Sequence, residues 1–442
     1  MMIPALIVFV ITYVLMLAFQ KYRPYIALSS ALIFIVMGYL GVYEMNIFTA
    51  LAAVDYNVLL MMSGTMGLVT LFIASKMPAR LAEMIISKVP NVKWAVTALA
   101  LFAGIVSAFV DNVATVLMVA PIGLAISRKL RISPVPVLIT IAVSSNLQGA
   151  ATLVGDTTSI LLGGFANMTF LDFFFMQGKL GIFFGVELGA LASAFVLLYL
   201  FRRDTQKVSA KVETAVTDYF PSVLMVGAVL LLIVASFIPQ PASAGVLAVI
   251  YNLRSGLICF ALCVIGVVRA VKREGSGNML RQVIADLDRD TLLLLFGLFM
   301  MIEGITAAGV IDAVAGLFHS VAGDSPFMLY TLIVFASVIL SAFIDNIPYV
   351  ATMLPVVQGI AALMNGGAGM DPNVFYFGLL TGATLGGNLT PIGASANIAA
   401  IGILRKNGET VTTKDFLRIG IPFTLAAVLT GYAYIWLVWG VA

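Results

Sequence analysis

Ser107-Ala-Phe-Val-Asp-Asn-Val113 returns as Ser341-Ala-Phe-Ile-Asp-Asn-Ile347, and this pair decides the fold. Pro121 and Pro355 keep the same spacing from their heptads. Farther along, Gly149-Ala-Ala-Thr-Leu-Val-Gly155 lines up with Gly387-Asn-Leu-Thr-Pro-Ile-Gly393. Thr157 then stands opposite Ser395, and Ser159 opposite Asn397. One matched heptad is within the reach of chance. Two matched blocks in the same order mark an internal repeat, a common device of transporters.

The sequence around these blocks is apolar. Of the 442 residues, 61% are hydrophobic and 10% charged, against about 25% charged in a typical soluble domain. A bilayer must therefore solvate much of the chain. The net charge of +3 says little about partners. No basic stripe interleaved with aromatics is present, which argues against nucleic acid.

A membrane-crossing helix needs about 20 mostly apolar residues, and about ten candidate spans meet that need: 3–20, 25–43, 56–75, 134–165, 180–201, 221–238, 246–268, 291–309, 373–402 and 417–439. The fourth and ninth are too long for one simple helix and contain Gly-rich polar interruptions. Two further apolar stretches, 93–127 and 326–363, each break near the middle at an Asp-Asn pair. The first apolar run, Ile3 to Phe19, precedes the first basic residues, Lys21 and Arg23. That order is wrong for a cleaved signal and predicts a retained span.

Positive charge gives the orientation. Suppose 93–127 and 326–363 each enter the bilayer and return to the same face. All 24 Lys and Arg, from Lys21 and Arg23 through Lys211 to Arg418, then share one face, except Lys179 and Arg254. Positive residues stay cytoplasmic, so both termini are expected outside, in a multi-pass cell (inner) membrane protein. Each half holds five spans and one returning stretch, and an odd span number inverts the second copy. The expectation is an all-α polytopic membrane protein with about ten spans and two re-entrant hairpins. It comprises two inverted-topology repeats, 1–201 and 220–442, joined by a cytoplasmic linker at 202–219, with broken helices at the site.

Backbone polar groups inside hydrocarbon must be satisfied by the protein, so helix breaks are tolerated only where protein or a watery cavity covers them. Asp111-Asn112 and Asp345-Asn346 are one type of break. A carboxylate at the membrane centre costs about 2.5–3.5 kcal/mol on insertion scales, so two at equivalent places suggest a use for charge. Ionised, they suit Na⁺ together with Asn112 and Asn346; protonated, they carry H⁺. The structural alternative is that each Asp-Asn caps the helix that follows. The second break type is the pair of Gly-rich blocks. These offer Thr152, Gly155, Asp156, Thr157, Asn388, Thr390, Ser395 and Asn397 as ligands or close-approach points. Helix N-termini after the breaks suit an anion. The plain alternative is a kink lined by small residues at helix contacts.

Asp156 belongs to the first block alone, since its partner is Ala394. Glu187 and Glu303 also fall within spans, and neither motif contains Arg or Lys. The amphipathic pieces near 77–90 and 310–322 read as interfacial arms or as ordinary surface helices. Cys259 and Cys263 read as buried or lipid-facing thiols, and the single histidine, His319, as solvated and too isolated for a zinc site. There is no P-loop pattern to hold a nucleotide and no nucleophile–His pair for an intramembrane enzyme. No cofactor is expected beyond a bound Na⁺.

Asp111-Asn-Val-Ala-Thr-Val, the run from Leu385 to Asn397 and Gly149-Ala-Ala-Thr resemble the ion-transporter superfamily. Its members include arsenite permeases, some Na⁺/H⁺ antiporters, the melanosomal P protein and divalent-anion/Na⁺ symporters; the likeness is strongest to the P-protein and arsenite branch. The resemblance implies two inverted repeats, each with a re-entrant hairpin meeting a broken helix. It also implies a homodimer and an elevator-like motion. The chain departs from the family pattern where Gly155-Asp-Thr-Thr-Ser159 replaces Gly-Asp-Pro-Pro-Asn. It departs again where its tips carry Asp-Asn rather than the Ser-Asn-Thr of carboxylate symporters. The functional expectation is a secondary active transporter coupling Na⁺ or H⁺ to a small anion or arsenite-like oxyacid. The alternatives are a cation/proton antiporter, a passive ion channel and a citrate or dicarboxylate symporter.

Overall fold

The computed structural model describes residues 2–208, 214–241, 245–364, 367 and 369–441. Lys211 and part of the 202–219 linker lie outside them. The first half contains α1 (Met2–Ala18), α2 (Arg23–Tyr39), α3 (Ile47–Ala52), α4 (Tyr56–Ala74) and α5 (Met77–Ile86). It continues with α6 (Val92–Ser107), α7 (Asn112–Leu130), α8 (Pro134–Gly149), α9 (Thr157–Phe165) and α10 (Ile182–Leu200). The second half opens with α11 (Phe220–Ser236), α12 (Val246–Asn252), α13 (Arg254–Glu274), α14 (Asn278–Asp286), α15 (Arg289–Ala307) and α16 (Val310–Ala322). It ends with α17 (Pro326–Ser341), α18 (Asn346–Leu363), α19 (Asn373–Gly386), α20 (Ser395–Lys406) and α21 (Thr413–Ile435). Apart from α12, the two series run in the same order.

Local chemistry repeats with them. Asp55 caps α4 through the Val58 amide, and Asp288 caps α15 through the Thr291 amide. Asn91 caps α6 and Ser325 caps α17 in the same way. A side-chain oxygen on an otherwise orphaned N–H fixes each helix start. The packing crosses between halves: α2 lies against α15, and α4 against α13. Glycine permits both close approaches. A Cβ on Gly64 would lie 2.4 Å from the Cys259 backbone, and one on Gly297 would lie 2.8 Å from the Leu28 nitrogen. Cys259 and Cys263 are free and buried in this seam, as expected of small apolar thiols.

Among the described residues, eight helices are long and apolar enough to cross a membrane; two of them, α7 and α18, belong to the returning stretches, so six of the ten spans expected from hydropathy are met by single helices. The difference has local causes. The expected spans 134–165 and 373–402 are each two helices, α8 with α9 and α19 with α20, separated by the Gly-rich blocks. α1 and α11 have 17 residues each, at the lower end of what a crossing needs. The expected span 246–268 begins later, at Arg254, because α12 is a separate short helix, and it runs to Glu274, where left-handed Gly275 ends it. A small hairpin, Phe175–Met176 with Lys179–Leu180, adds a strand pair to the expected all-α fold. Gln177 and Gly178, both at positive φ, form its two-residue turn.

The stretches 93–127 and 326–363 each become two helices meeting at an Asp-Asn corner. Their first legs, α6 and α17, have 16 residues, about 24 Å at 1.5 Å per residue. That is less than the roughly 30 Å hydrocarbon thickness, so neither first leg is long enough to cross it alone. α6 and α7 embrace α8, as α17 and α18 embrace α19. α19 is buried along its whole length and α8 at every position but Pro136, while α1, α11 and α13 present many large apolar side chains outward. Helices buried all round form a core, and the outward apolar surface is what lipid would cover.

The amphipathic pieces are helices α5 and α16, lying against α7 and α18. α16 meets α17 at 118°. α5 is tied to the linker, since Glu83 accepts hydrogen bonds from the Thr214 amide and hydroxyl. His319 pairs with Asp324 at 3.0 Å on the surface. The two exceptions to the charge pattern, Lys179 and Arg254, lie over the rings of Trp439 and Tyr251.

Candidate functional site

Each hairpin corner is built by its aspartate. Asp111 caps α7, its Oδ1 accepting the Val113 and Ala114 amides at 3.0 and 3.3 Å. Asp345 caps α18, its Oδ1 accepting the Ile347 amide at 3.1 Å. The capping reading and the charge reading are therefore compatible, because one carboxylate oxygen caps and the other is left for a second partner.

Each corner is locked to the helix break of its own half by repeated bonds. The Thr152 hydroxyl donates to the Ala108 carbonyl, and the Thr390 hydroxyl to the Ala342 carbonyl. Ser159 donates to the Gly149 carbonyl at 3.3 Å, and its counterpart Asn397 donates to the Gly387 carbonyl at 3.0 Å and the Thr390 carbonyl at 3.1 Å. Gly155 and Gly393 are required by closeness. A Cβ on Gly155 would sit 2.6 Å from the Gly149 oxygen and 2.7 Å from the Ser107 oxygen. One on Gly393 would sit 2.6 Å from the Gly387 oxygen and 2.9 Å from the Ser341 oxygen.

A second set of bonds joins the halves. Asn112 donates to Asn146 at 2.9 Å; Asn146 donates to the Thr384 carbonyl at 2.7 Å and to Asn388 at 3.2 Å. Asn388 donates to the Val143 carbonyl at 2.9 Å. Asp156 caps α9 through the Thr157 amide at 2.8 Å and accepts the Thr158 hydroxyl at 2.8 Å. Its Oδ2 also accepts Asn346 of the other corner at 3.4 Å, and Thr158 meets Thr384 at 3.0 Å. The structure thus gathers Asp111, Asn112, Asp156, Thr157, Asn346, Asn388, Asp345 and Ser395 around the junction of the two corners, with Thr152, Gly155, Thr390 and Asn397 supporting the corners from behind.

The sequence motifs contain no basic residue, but the fold supplies one. Arg23 Nη1 lies 2.8 Å from Asp345 Oδ2, with the Arg23 side chain 13% exposed, and its Nε donates to the Met16 carbonyl at 3.1 Å. Ser395 donates to the same Oδ2 at 3.3 Å. Arg23 is therefore not a free surface charge of the kind the orientation pattern assumed, and Asp345 does not lack a counter-charge. No sequence signal marks a partner so distant in the chain. Asn146, Thr158 and Thr384 also went unflagged; the polar run Ser144-Ser145-Asn146 within an apolar span was the available signal.

Among the described residues, no basic side chain is paired with Asp111 or Asp156, and Asp111 Oδ2 accepts no hydrogen bond. The Gln148 amide and Asn397 Oδ1 are buried polar groups without partners among the described residues. Gln148 fills a notch over Gly104, whereas in the second half Gly386 lies against Val338. Glu187 and Glu303 are partly exposed on α10 and α15 and take no part in these contacts.

Comparison with known proteins agrees with this architecture. The family described as "Citrate transporter", CitMHS, matches residues 7–382. An uncharacterized transporter of Mycobacterium tuberculosis (strain ATCC 25618 / H37Rv) is 30% identical over 444 residues, covering 99% of this chain and 98% of its own. The P protein of Mus musculus is 26% identical, covering 86% of this chain and 54% of its own. Two solved structures share the fold. The Alcanivorax borkumensis YdaH transporter has a TM-score of 0.58 at 17% identity, over 92% of this chain and 88% of its own. Neisseria gonorrhoeae MtrF, of a class of antimetabolite efflux pumps, has a TM-score of 0.59 at 14% identity, over 93% and 85%.

Proposed function

This chain belongs to the citrate transporter family CitMHS and is a multi-pass membrane transporter, and we propose that it is a secondary active transporter coupling Na⁺ or H⁺ to a small anion. The observation that carries the reading is the pair Asp111 and Asp156, carboxylates without a basic partner among the described residues, where two repeats meet. A carboxylate inside a membrane that no protein cation neutralises is suited to an exchangeable one. Neighbouring hydroxyl and amide oxygens of Thr158, Asn112 and Asn146 are the hard ligands Na⁺ prefers, and a proton needs only the carboxylate. With the cation bound, the negative charge of the carboxylates is reduced and an anion can approach the N-termini of α7, α9 and α18. The unpartnered Gln148 amide offers a further donor.

The family description favours a carboxylate such as citrate as the first anion to try, alongside arsenite-like oxyacids. The Asp-Asn tips, where the resemblance predicts Ser-Asn-Thr for carboxylate symporters, weigh against a large dicarboxylate. Placement in the cell inner membrane with both termini outside is supported by the distribution of basic residues. A homodimer and an elevator-like motion are implied by the resemblance. Uptake by purified protein in liposomes, driven by a Na⁺ or a proton gradient across a panel of anions, tests the reading. Asp111→Asn keeps an acceptable helix cap and is expected to abolish gradient-driven uptake; unchanged uptake would remove the coupling role. The second reading, a cation/proton antiporter, rests on the same carboxylates, and Na⁺-induced proton release without any anion would select it.

A further inference from the structure

The repeat gives the protein two similar hairpin tips, but the structure fills only one of them from within. At Asp345, Oδ1 caps α18 while Oδ2 takes the Arg23 guanidinium at 2.8 Å and the Ser395 hydroxyl at 3.3 Å. At Asp111, Oδ1 caps α7 in the same way, and Oδ2 has no hydrogen-bond partner among the described residues. Thr157, the counterpart of Ser395, donates its amide to Asp156 instead. The cause of the asymmetry can be read from the crossed packing of the halves. Gly297 rests on Ala27 and Leu28 of α2, and its counterpart Gly64 rests on Cys259 and Phe260 of α13. Carrying that correspondence back along the two helices sets Ser255 where α2 has Arg23. The nearby Arg254 turns away to bond the Tyr251 carbonyl at 2.8 Å and stack on its ring.

From this geometry we infer that Arg23 is a built-in cation that occupies the Asp345 site, so that each protomer holds one exchangeable cation, at the Asp111–Asp156 side, where the repeat alone would provide two. Two physical points support it. A guanidinium and a metal ion cannot share one carboxylate oxygen without strong repulsion. Arginine does not deprotonate in proteins, so the guanidinium stays a fixed positive charge against Asp345 Oδ2. The inference rests on the coupling role proposed above and adds the number of ions and the residue that sets it.

The test uses the full chain, purified in lipid nanodiscs, with ²²Na⁺ equilibrium binding as one arm and dye-reported proton exchange as the other. The wild type is expected to saturate with one cation per protomer in whichever arm responds. Arg23→Gln frees Asp345 and is expected to saturate with two. In the Na⁺ arm, the limiting slope of stabilisation against ln[Na⁺] would rise from about one RT toward two RT. Arg23→Lys keeps a tethered cation and is expected to hold one. Two cations in the wild type, or one in a folded Arg23→Gln protein, would overturn the inference. If Arg23→Gln does not fold, the wild-type count decides alone. Loss of binding in Asp111→Asn, with the wild-type count at one, supports both steps; no binding or exchange in any variant sinks the coupling role itself.

Discussion

The two hairpin tips share a heptad and a capping geometry, yet they differ in what faces their second carboxylate oxygen. The Asp345 tip is closed by a guanidinium from α2, and Asp345 is only 6% exposed. The Asp111 tip is half-buried and has no such partner among the described residues. The comparison shows that an internal repeat conserves a site's scaffold more strictly than its electrostatics. Backbone-to-backbone closeness fixes the scaffold in both halves at once. Charge depends on individual side chains arriving from the other half, and Arg23 has no counterpart.

The largest expected effect separates the tips by function. Asp111→Asn is expected to abolish gradient-driven flux in liposomes with little change in melting temperature, because asparagine still caps α7. Asp345→Asn is expected to lower the melting temperature as well, because it strands Arg23. A similar melting temperature for the two variants would mean that the tips are electrostatically alike after all.

Arg23→Ala is expected to be next in size. Breaking a buried ion pair from one side leaves an uncompensated charge, typically about 3–5 kcal/mol. The double variant Arg23→Ala/Asp345→Asn is expected to recover much of that loss in thermal unfolding. Additive losses would show that the two residues do not act as a pair.

A third prediction concerns what the tips share. Gly155→Ala and Gly393→Ala each press a methyl group onto backbone oxygens nearer than 3 Å. Each is expected to cost roughly 1–3 kcal/mol, the usual range for overpacking, and to a similar extent in both halves. A large difference between them, measured by the same melts, would show that one break is looser than its twin.

The smallest effect lies outside the membrane. Asp218 pairs with Arg269 at 2.5 Å and Arg273 at 2.8 Å, both largely exposed. The hydrogen bond from Arg269 holds its carboxyl below the ordinary aspartate value. The folded state therefore binds the proton less readily than the unfolded one. The resulting stability is present above the unfolded pKa of about 3.9 and is lost as pH falls through the lower folded value. Exposure and screening keep it to no more than about 1 kcal/mol. Asp218→Asn should therefore barely shift the melt at neutral pH and leave the contrast between the tips untouched.

Much of the candidate site's layout was legible in the sequence because each half repeats the signal. Asp111, Asp345 and the Gly-rich blocks are polar interruptions in apolar runs, and polarity inside hydrocarbon is costly enough to stand out. The span count was less legible. Hydropathy measures apolar length but not helix continuity, so 134–165 and 373–402 read as single spans although each is broken. The contacts around Asn146, Thr158 and Thr384 were not legible, because ordinary polar residues in a buried helix declare no partner.

The sequence by itself determined the membrane environment, the two repeats and the places where their helices must break. Composition, periodicity and the cost of unsatisfied backbone act locally and leave their mark in residue order. Only the tertiary structure decided that Arg23 closes one tip and leaves the other open. An ion pair depends on distance in space, and the packing of α2 against α15 brings together residues that lie at opposite ends of the chain.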